Sequence, residues 1–250
     1  MKSIRHAAIA LAAAFALAAS AQGQRASAPS RTILAAVADP ARPAEDVARD
    51  AGRRPAQILA FAGVRPGDQI VELIPGGGYY TRILARAVGP RGRIFAVVTP
   101  GFSQRPGAMD RLRAAVGGYA NVEIVVSDLA GLAMARPVDL VWTSENYHDL
   151  HNGPAANIGA VNRAVFGVLR RGGIYYVEDH SAPGTGTAAT STLHRIDPQV
   201  VRDEVAAAGF RLEAESPLLA NPADPHTARS NDPSVGGHTD RFSMRFRKPR

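Results

Sequence analysis

Residues 68–81 read Asp-Gln-Ile-Val-Glu-Leu-Ile-Pro-Gly-Gly-Gly-Tyr-Tyr-Thr, and this stretch constrains the fold more than any other. An apolar run from Ile70 to Ile74, interrupted by one acid at Glu72, breaks at Pro75 into Gly76, Gly77 and Gly78. Helical spacing begins at once, through Tyr80, Ile83, Leu84 and Val88. The pattern is strand, tight turn, helix. Glycines let the chain turn sharply and approach a ligand closely, and a new helix offers unpaired N–H groups and a positive dipole end. In open α/β sheets, ligands bind outside the carboxyl ends of the strands, where such turns lie.

The details of the turn choose among ligands. A dinucleotide fingerprint needs a third small residue close to the strand, but counting from Gly76 and Gly78 puts Thr81 there. The second strand, Arg93–Val98, runs into Thr99 and Pro100 and lacks the acid that grips a ribose. No Gly-Lys-Ser/Thr occurs, so a phosphate-gripping loop is excluded. Glu72, four residues before Gly76, suits a ligand with an amino-acid head and no phosphate. The plainer alternative is an ordinary strand-to-helix turn with a partly buried Glu.

Along the chain, helical segments are expected at 43–51, 55–62 (closed by Gly63), 109–116, 158–169 and from Asp197-Pro198 to Gly209. Strands are expected at 70–74, 93–98, 122–126, 138–143, 174–177, 210–215 and 241–247. Apolar strands alternating with helices imply a mostly parallel central sheet covered on both faces. Residues 22–42 read as a linker, or a leader that docks on one domain spanning 43–250.

The N-terminus has the pattern of an export signal. Lys2, Arg5 and His6 precede an apolar run from Ala7 to Ala19, and Ala19-Ser20-Ala21 offers small residues before Gln22. Residues 1–21 are therefore expected to be cleaved, leaving an exported, periplasmic chain with no stable membrane anchor. Cysteine is absent, which excludes disulfides, thiolate metal sites and a cysteine nucleophile. The formal net charge is +7, but the arginines are scattered and not interleaved with aromatics, so no nucleic-acid partner is expected. A small-molecule substrate is expected, and nothing fixes an oligomeric state.

This order of elements resembles the class I methyltransferase fold, Rossmann-like with an antiparallel C-terminal strand, which binds S-adenosylmethionine (SAM). Glu72 falls on that family's acid at the end of the first strand, and Pro75, Gly76, Gly77 and Gly78 fall on its glycine turn. Asp128, with Leu129 beside it, matches the acidic position that meets the adenine amino group. Leu169-Arg170-Arg171-Gly172-Gly173 is similar to the family's Leu-Arg-Pro-Gly-Gly. More narrowly, Glu145-Asn146-Tyr147-His148-Asp149, Val177-Glu178-Asp179-His180 and Thr239-Asp240-Arg241-Phe242 resemble a group of exported methyltransferases. Ile74 departs from the pattern by replacing the first glycine of the turn. The resemblance implies a SAM-dependent methyltransferase with Glu72, the glycine turn, Asp128, Leu129 and Glu145 around the cofactor.

The polar segments after strands four and five lie at the same sheet edge as the turn. His148 is a candidate general base with Asp149 to orient it, and His180 is the competing base. His148, His151, Asp179 and His180 together suit a divalent ion, but no compact ligand spacing appears and no metal is expected. Trp142 reads as core packing. A serine nucleophile lacks its Gly-x-Ser-x-Gly elbow. Two other classes stay open: a binding protein of this fold without turnover, and a metal-dependent enzyme.

Overall fold

The computed structural model describes residues 28–153, 156–235 and 237–250. The expected export signal, residues 1–21, lies outside the described residues. Seven strands form one sheet: β1 (Gln69–Leu73), β2 (Arg93–Val98), β3 (Val122–Val126), β4 (Val138–Ser144), β5 (Leu169–His180), β6 (Arg211–Ser216) and β7 (Arg241–Arg247), in the order β3-β2-β1-β4-β5-β7-β6. The pairs from β3 to β5 are parallel, and β7 runs antiparallel to both β5 and β6. The expected mixed sheet with an antiparallel C-terminal strand is what the chain forms.

The helices are α1 (Arg31–Val37), α2 (Ala44–Ala48), α3 (Asp50–Arg53), α4 (Pro55–Ala62), α5 (Tyr79–Val88), α6 (Pro100–Ser103), α7 (Ala108–Val116), α8 (Ile158–Val168) and α9 (Pro198–Ala207). Alternation along the strands divides the core between the two faces. Ile70, Leu140, Trp142 and Tyr176 pack with Ile58, Leu59, Ile83 and Leu84 from α4 and α5. Val71, Leu73, Val141, Tyr175 and Val177 pack with Val161, Val165, Val201 and Val205 from α8 and α9. Each such side chain, fully buried, contributes about 1.5–3 kcal/mol. Glu72 shares the parity of Ile70, so the sheet alternation sends its carboxyl under α5.

Several boundaries differ from the sequence expectation, for local reasons. The segment expected at 43–51 is two short helices, because Arg49 caps one and starts the next. The leader region includes α1, which is capped by the Ser30 hydroxyl and buries Ile33 and Ala36. Strand β5 begins at Leu169, well before Ile174, and its pairing with β4 slips between Val138 and Leu140 to accommodate Arg170–Gly173. Among the described residues, no helix is long and apolar enough to cross a membrane.

Candidate functional site

The turn after β1 is strained at a specific residue. Ile74 stands at φ +52°, a left-handed backbone that is unusual for a β-branched side chain. The conformation that a glycine adopts freely is thus kept although the glycine is not. Asn146 holds it: its side-chain amide donates to the carbonyl oxygens of Leu73 (3.1 Å), Ile74 (3.2 Å) and Ser144 (3.1 Å), tying the ends of β1 and β4 together. Glu145, at φ +56°, is the second strained residue on this rim. Strain clustered at one sheet edge is where function is sought.

A cavity of about 250 Å³ opens over this turn, lined among others by Glu72, Pro75, Gly76, Gly77, Trp142, Glu145 and Asp149. Glu72 is 3% exposed, and its carboxyl accepts from the Thr81 hydroxyl at 2.6 Å. Burial pushes its pKa up to about 7, because the hydroxyl and the distant Arg82 do not offset the lost hydration. Arg49 lines the same cavity; its guanidinium stacks 5.1 Å from the Tyr79 ring centre and has no carboxylate partner among the described residues. Trp142, expected only to pack, lines the cavity too, and its buried Nε1 has no hydrogen-bond partner among the described residues. A carboxyl and a free guanidinium in one cavity are complementary to an amino-acid head carrying both an ammonium and a carboxylate.

A second cavity, about 390 Å³, adjoins the first and shares Arg49, Arg53 and Glu145 with it. His180, His238, Thr239 and Arg241 complete much of its wall. Glu145 pairs with Arg53 and, at 2.6 Å, with Arg241, which also reaches the wholly buried Glu178 at 3.4 Å. Burial would raise the Glu145 carboxyl, but Arg53, His180 and Arg241 outweigh it and hold it below the usual carboxylate range. Burial pushes His180 down to about 4, so its imidazole is neutral at pH 7. Its Nδ1 lies 2.7 Å from the Thr239 hydroxyl.

The two expected bases sit in different surroundings. His148 is only 2% exposed, and both ring nitrogens are engaged: Nδ1 by Asp179 at 2.8 and 3.0 Å, Nε2 by His194 at 3.2 Å. Asp179, 0% exposed, also accepts the His148 main-chain N–H at 2.7 Å. The orienting carboxylate is therefore Asp179 and not Asp149, which lies on the Nε2 side at 3.3 Å. Sequence distance hid this partner, since Asp179 is on another strand. His148 faces no cavity wall among those described, whereas His180 does. Gly78, the N-cap of α5, packs toward Arg82, Ala115 and Val116 instead of lining the cavity. Asp128 is exposed and caps its own 3-10 turn through Ala130 N at 3.3 Å, while Leu129 is buried in the core; neither lines either cavity.

This sheet order with its reversed β7 is the fold of class I SAM-dependent methyltransferases. A putative sarcosine dimethylglycine methyltransferase from Galdieria sulphuraria superposes with a TM-score of 0.59 at 16% identity, over 82% of this chain and 88% of its own. The [4+2]-cyclase SpnF superposes equally well, TM-score 0.59 at 16% identity, over 80% of this chain and 81% of its own. In sequence, a protein-L-isoaspartate O-methyltransferase from Ignicoccus hospitalis is 30% identical over 131 residues, which is 52% of this chain and 55% of that enzyme. The chain thus matches about half the length of this curated relative. No protein-family profile matches the chain. A fold shared with a cyclase fixes architecture, and activity must be argued from the site.

Proposed function

We propose that this chain is a SAM-dependent methyltransferase acting on a small acceptor. The observation that carries the reading is that Glu72 and Arg49, unpaired among the described residues, line one cavity over the strained glycine turn. Glu72 would receive the ammonium of the methionyl head and Arg49 its carboxylate, while the Pro75, Gly76 and Gly77 backbone lies against the rest. The exposed Asp128 carboxylate would meet the adenine amino group. SAM supplies an activated methyl on a sulfonium. The protein's task is to align the acceptor in line with it and to exclude water.

The acceptor would enter the larger cavity across the Arg53–Glu145 wall. With SAM bound, a hydroxyl or amine of the acceptor would bond to the methyl carbon and lose a proton, the C–S electron pair staying with sulfur. His180, neutral at pH 7 and on that wall, is the group we assign to take it. This reverses the ranking of the two histidines expected from sequence, because His148 is sealed by its partners. The N-terminal signal pattern supports export, and the rest of the reading does not depend on it.

The alternative is a binding protein of this fold without turnover. The two readings separate in one experiment: incubation of the purified chain with labelled SAM and a broad panel of methyl acceptors. Label transfer that His180→Asn lowers at least about tenfold supports catalysis; SAM binding with no transfer to any acceptor favours the binding protein.

A further inference from the structure

Beside the cofactor cavity, three donor atoms from separate parts of the chain converge. His148 Nε2, Asp149 Oδ1 and His194 Nδ1 lie 3.3, 3.6 and 3.2 Å apart, taken as His148–Asp149, Asp149–His194 and His148–His194. An ion about 2.0–2.1 Å from each of three tetrahedral donors keeps them about 3.3–3.4 Å apart, while octahedral donors at the same bond length lie about 3.0 Å apart. The edges of 3.2, 3.3 and 3.6 Å match the tetrahedral spacing better than the octahedral one at that bond length.

When both imidazoles are neutral, these three atoms present more lone pairs than hydrogens. The Asp179 carboxylate brackets His148 Nδ1, which fixes the hydrogen there and turns the Nε2 lone pair toward the other two atoms. One hydrogen on His194 Nδ1 then faces two acceptors, His148 Nε2 and Asp149 Oδ1, which themselves oppose each other at 3.3 Å. A buried carboxylate behind a histidine is also the arrangement that orients imidazole ligands on metals. His194 is held in place deliberately: it stands at φ +52°, next to the fully buried Arg195, which pairs with Asp224 at 2.8 Å. Such backbone strain persists only where the surroundings enforce it.

We infer that His148, Asp149 and His194 form a zinc site with an open fourth position. Two imidazoles and one carboxylate are a donor set that zinc takes when it keeps a coordination place for water or another ligand. Asp149 is exposed and also lines the cofactor cavity, so the fourth position is open to solvent at that cavity's rim. This inference goes beyond the methyl-transfer reading and stands or falls without it. His194 was out of reach of sequence spacing because it comes from the long segment between β5 and α9.

The test uses the tag-free full chain, stripped with chelator, dialysed against Zn²⁺ and assayed for bound metal. One zinc per chain is expected, with a higher melting temperature than the stripped protein. His194→Ala removes a half-buried ligand without opening the core and should weaken zinc binding at least about tenfold, and Asp179→Asn by about 10–100-fold. Co²⁺ in place of zinc should give the intense visible absorption of a tetrahedral site in the wild type and lose it in His194→Ala. A stripped wild-type chain that takes up no zinc overturns the inference, as does a folded His194→Ala chain that binds it as tightly as the wild type.

Discussion

At the scale of single residues, the four positions 145–148 show how one short motif is divided among tasks. Glu145 forms the wall between two cavities, Asn146 staples the glycine turn, Tyr147 donates its buried hydroxyl to Glu204 at 3.0 Å, and His148 turns to Asp179. Glu72 carries the sharpest pH consequence. Its native pKa is raised from the ordinary 4.5 to about 7, so the unfolded chain ionises first and the native state keeps its proton longer. The sign follows: the native state is favoured below about 4.5, and that advantage, about 3 kcal/mol, is lost as pH rises to about 7. Urea unfolding at pH 5 and pH 8 should show the wild type losing stability relative to Glu72→Gln over that interval. Parallel curves for the two proteins would mean Glu72 is already ionised when folded. Glu72 was legible as a site residue because a lone acid interrupts an apolar strand. Arg49 was not, since nothing in the sequence between two short helices marks one arginine as lacking a partner.

At the scale of elements, the strands were legible because β1 to β4 are nearly continuous apolar runs, the pattern of a parallel sheet. Helix α1 escaped notice because only Ile33 and Ala36 are buried in its seven residues. The early start of β5 was hidden by Gly172-Gly173, where the ladder to β4 slips, while Lys248 N of the segment after β7 donates to Gly173 O at 3.0 Å. The turn between α5 and β2 makes a direct prediction. A Cβ on Gly92 would lie 2.5 Å from Val88 Cβ and 2.7 Å from the Asp68 carbonyl oxygen, so backbone must move to admit it. Gly92→Ala should cost about 1–3 kcal/mol of unfolding free energy in denaturant melts. A change within experimental error would show that this turn is looser than its packing implies. Between β5 and α9, Arg195 bonds the Ala228 carbonyl oxygen at 2.9 Å and Asp224 at 2.8 Å, joining two loops across the molecule. Removing one partner of a buried pair strands the other charge, and Arg195→Ala should cost about 3–5 kcal/mol. Proteolysis should then begin within 181–196 or 221–240; cleavage elsewhere would place the weak point in another element.

At the scale of the whole molecule, the parallel half of the sheet brings the turn after β1, the motif after β4 and Asp179-His180 at the end of β5 to one edge. That convergence follows from topology, which is why the location of the site was legible while its partners were not. His148 meets Asp179, and His194 meets both His148 and Asp149, only after strands and loops far apart in sequence have assembled. The expected export signal adds a prediction on this scale: N-terminal sequencing of chain recovered from its native host should begin at or near Gln22, and an intact Met1 on cytosolic protein would contradict export. The central claim is that the cavity over the strained turn holds SAM. Isothermal titration of the folded chain with SAM tests it most directly. The account predicts one molecule bound per chain, with Glu72→Ala weakening the affinity by about 1–3 kcal/mol, the scale of a lost charged hydrogen bond. A properly folded wild-type chain that shows no binding to SAM would contradict it.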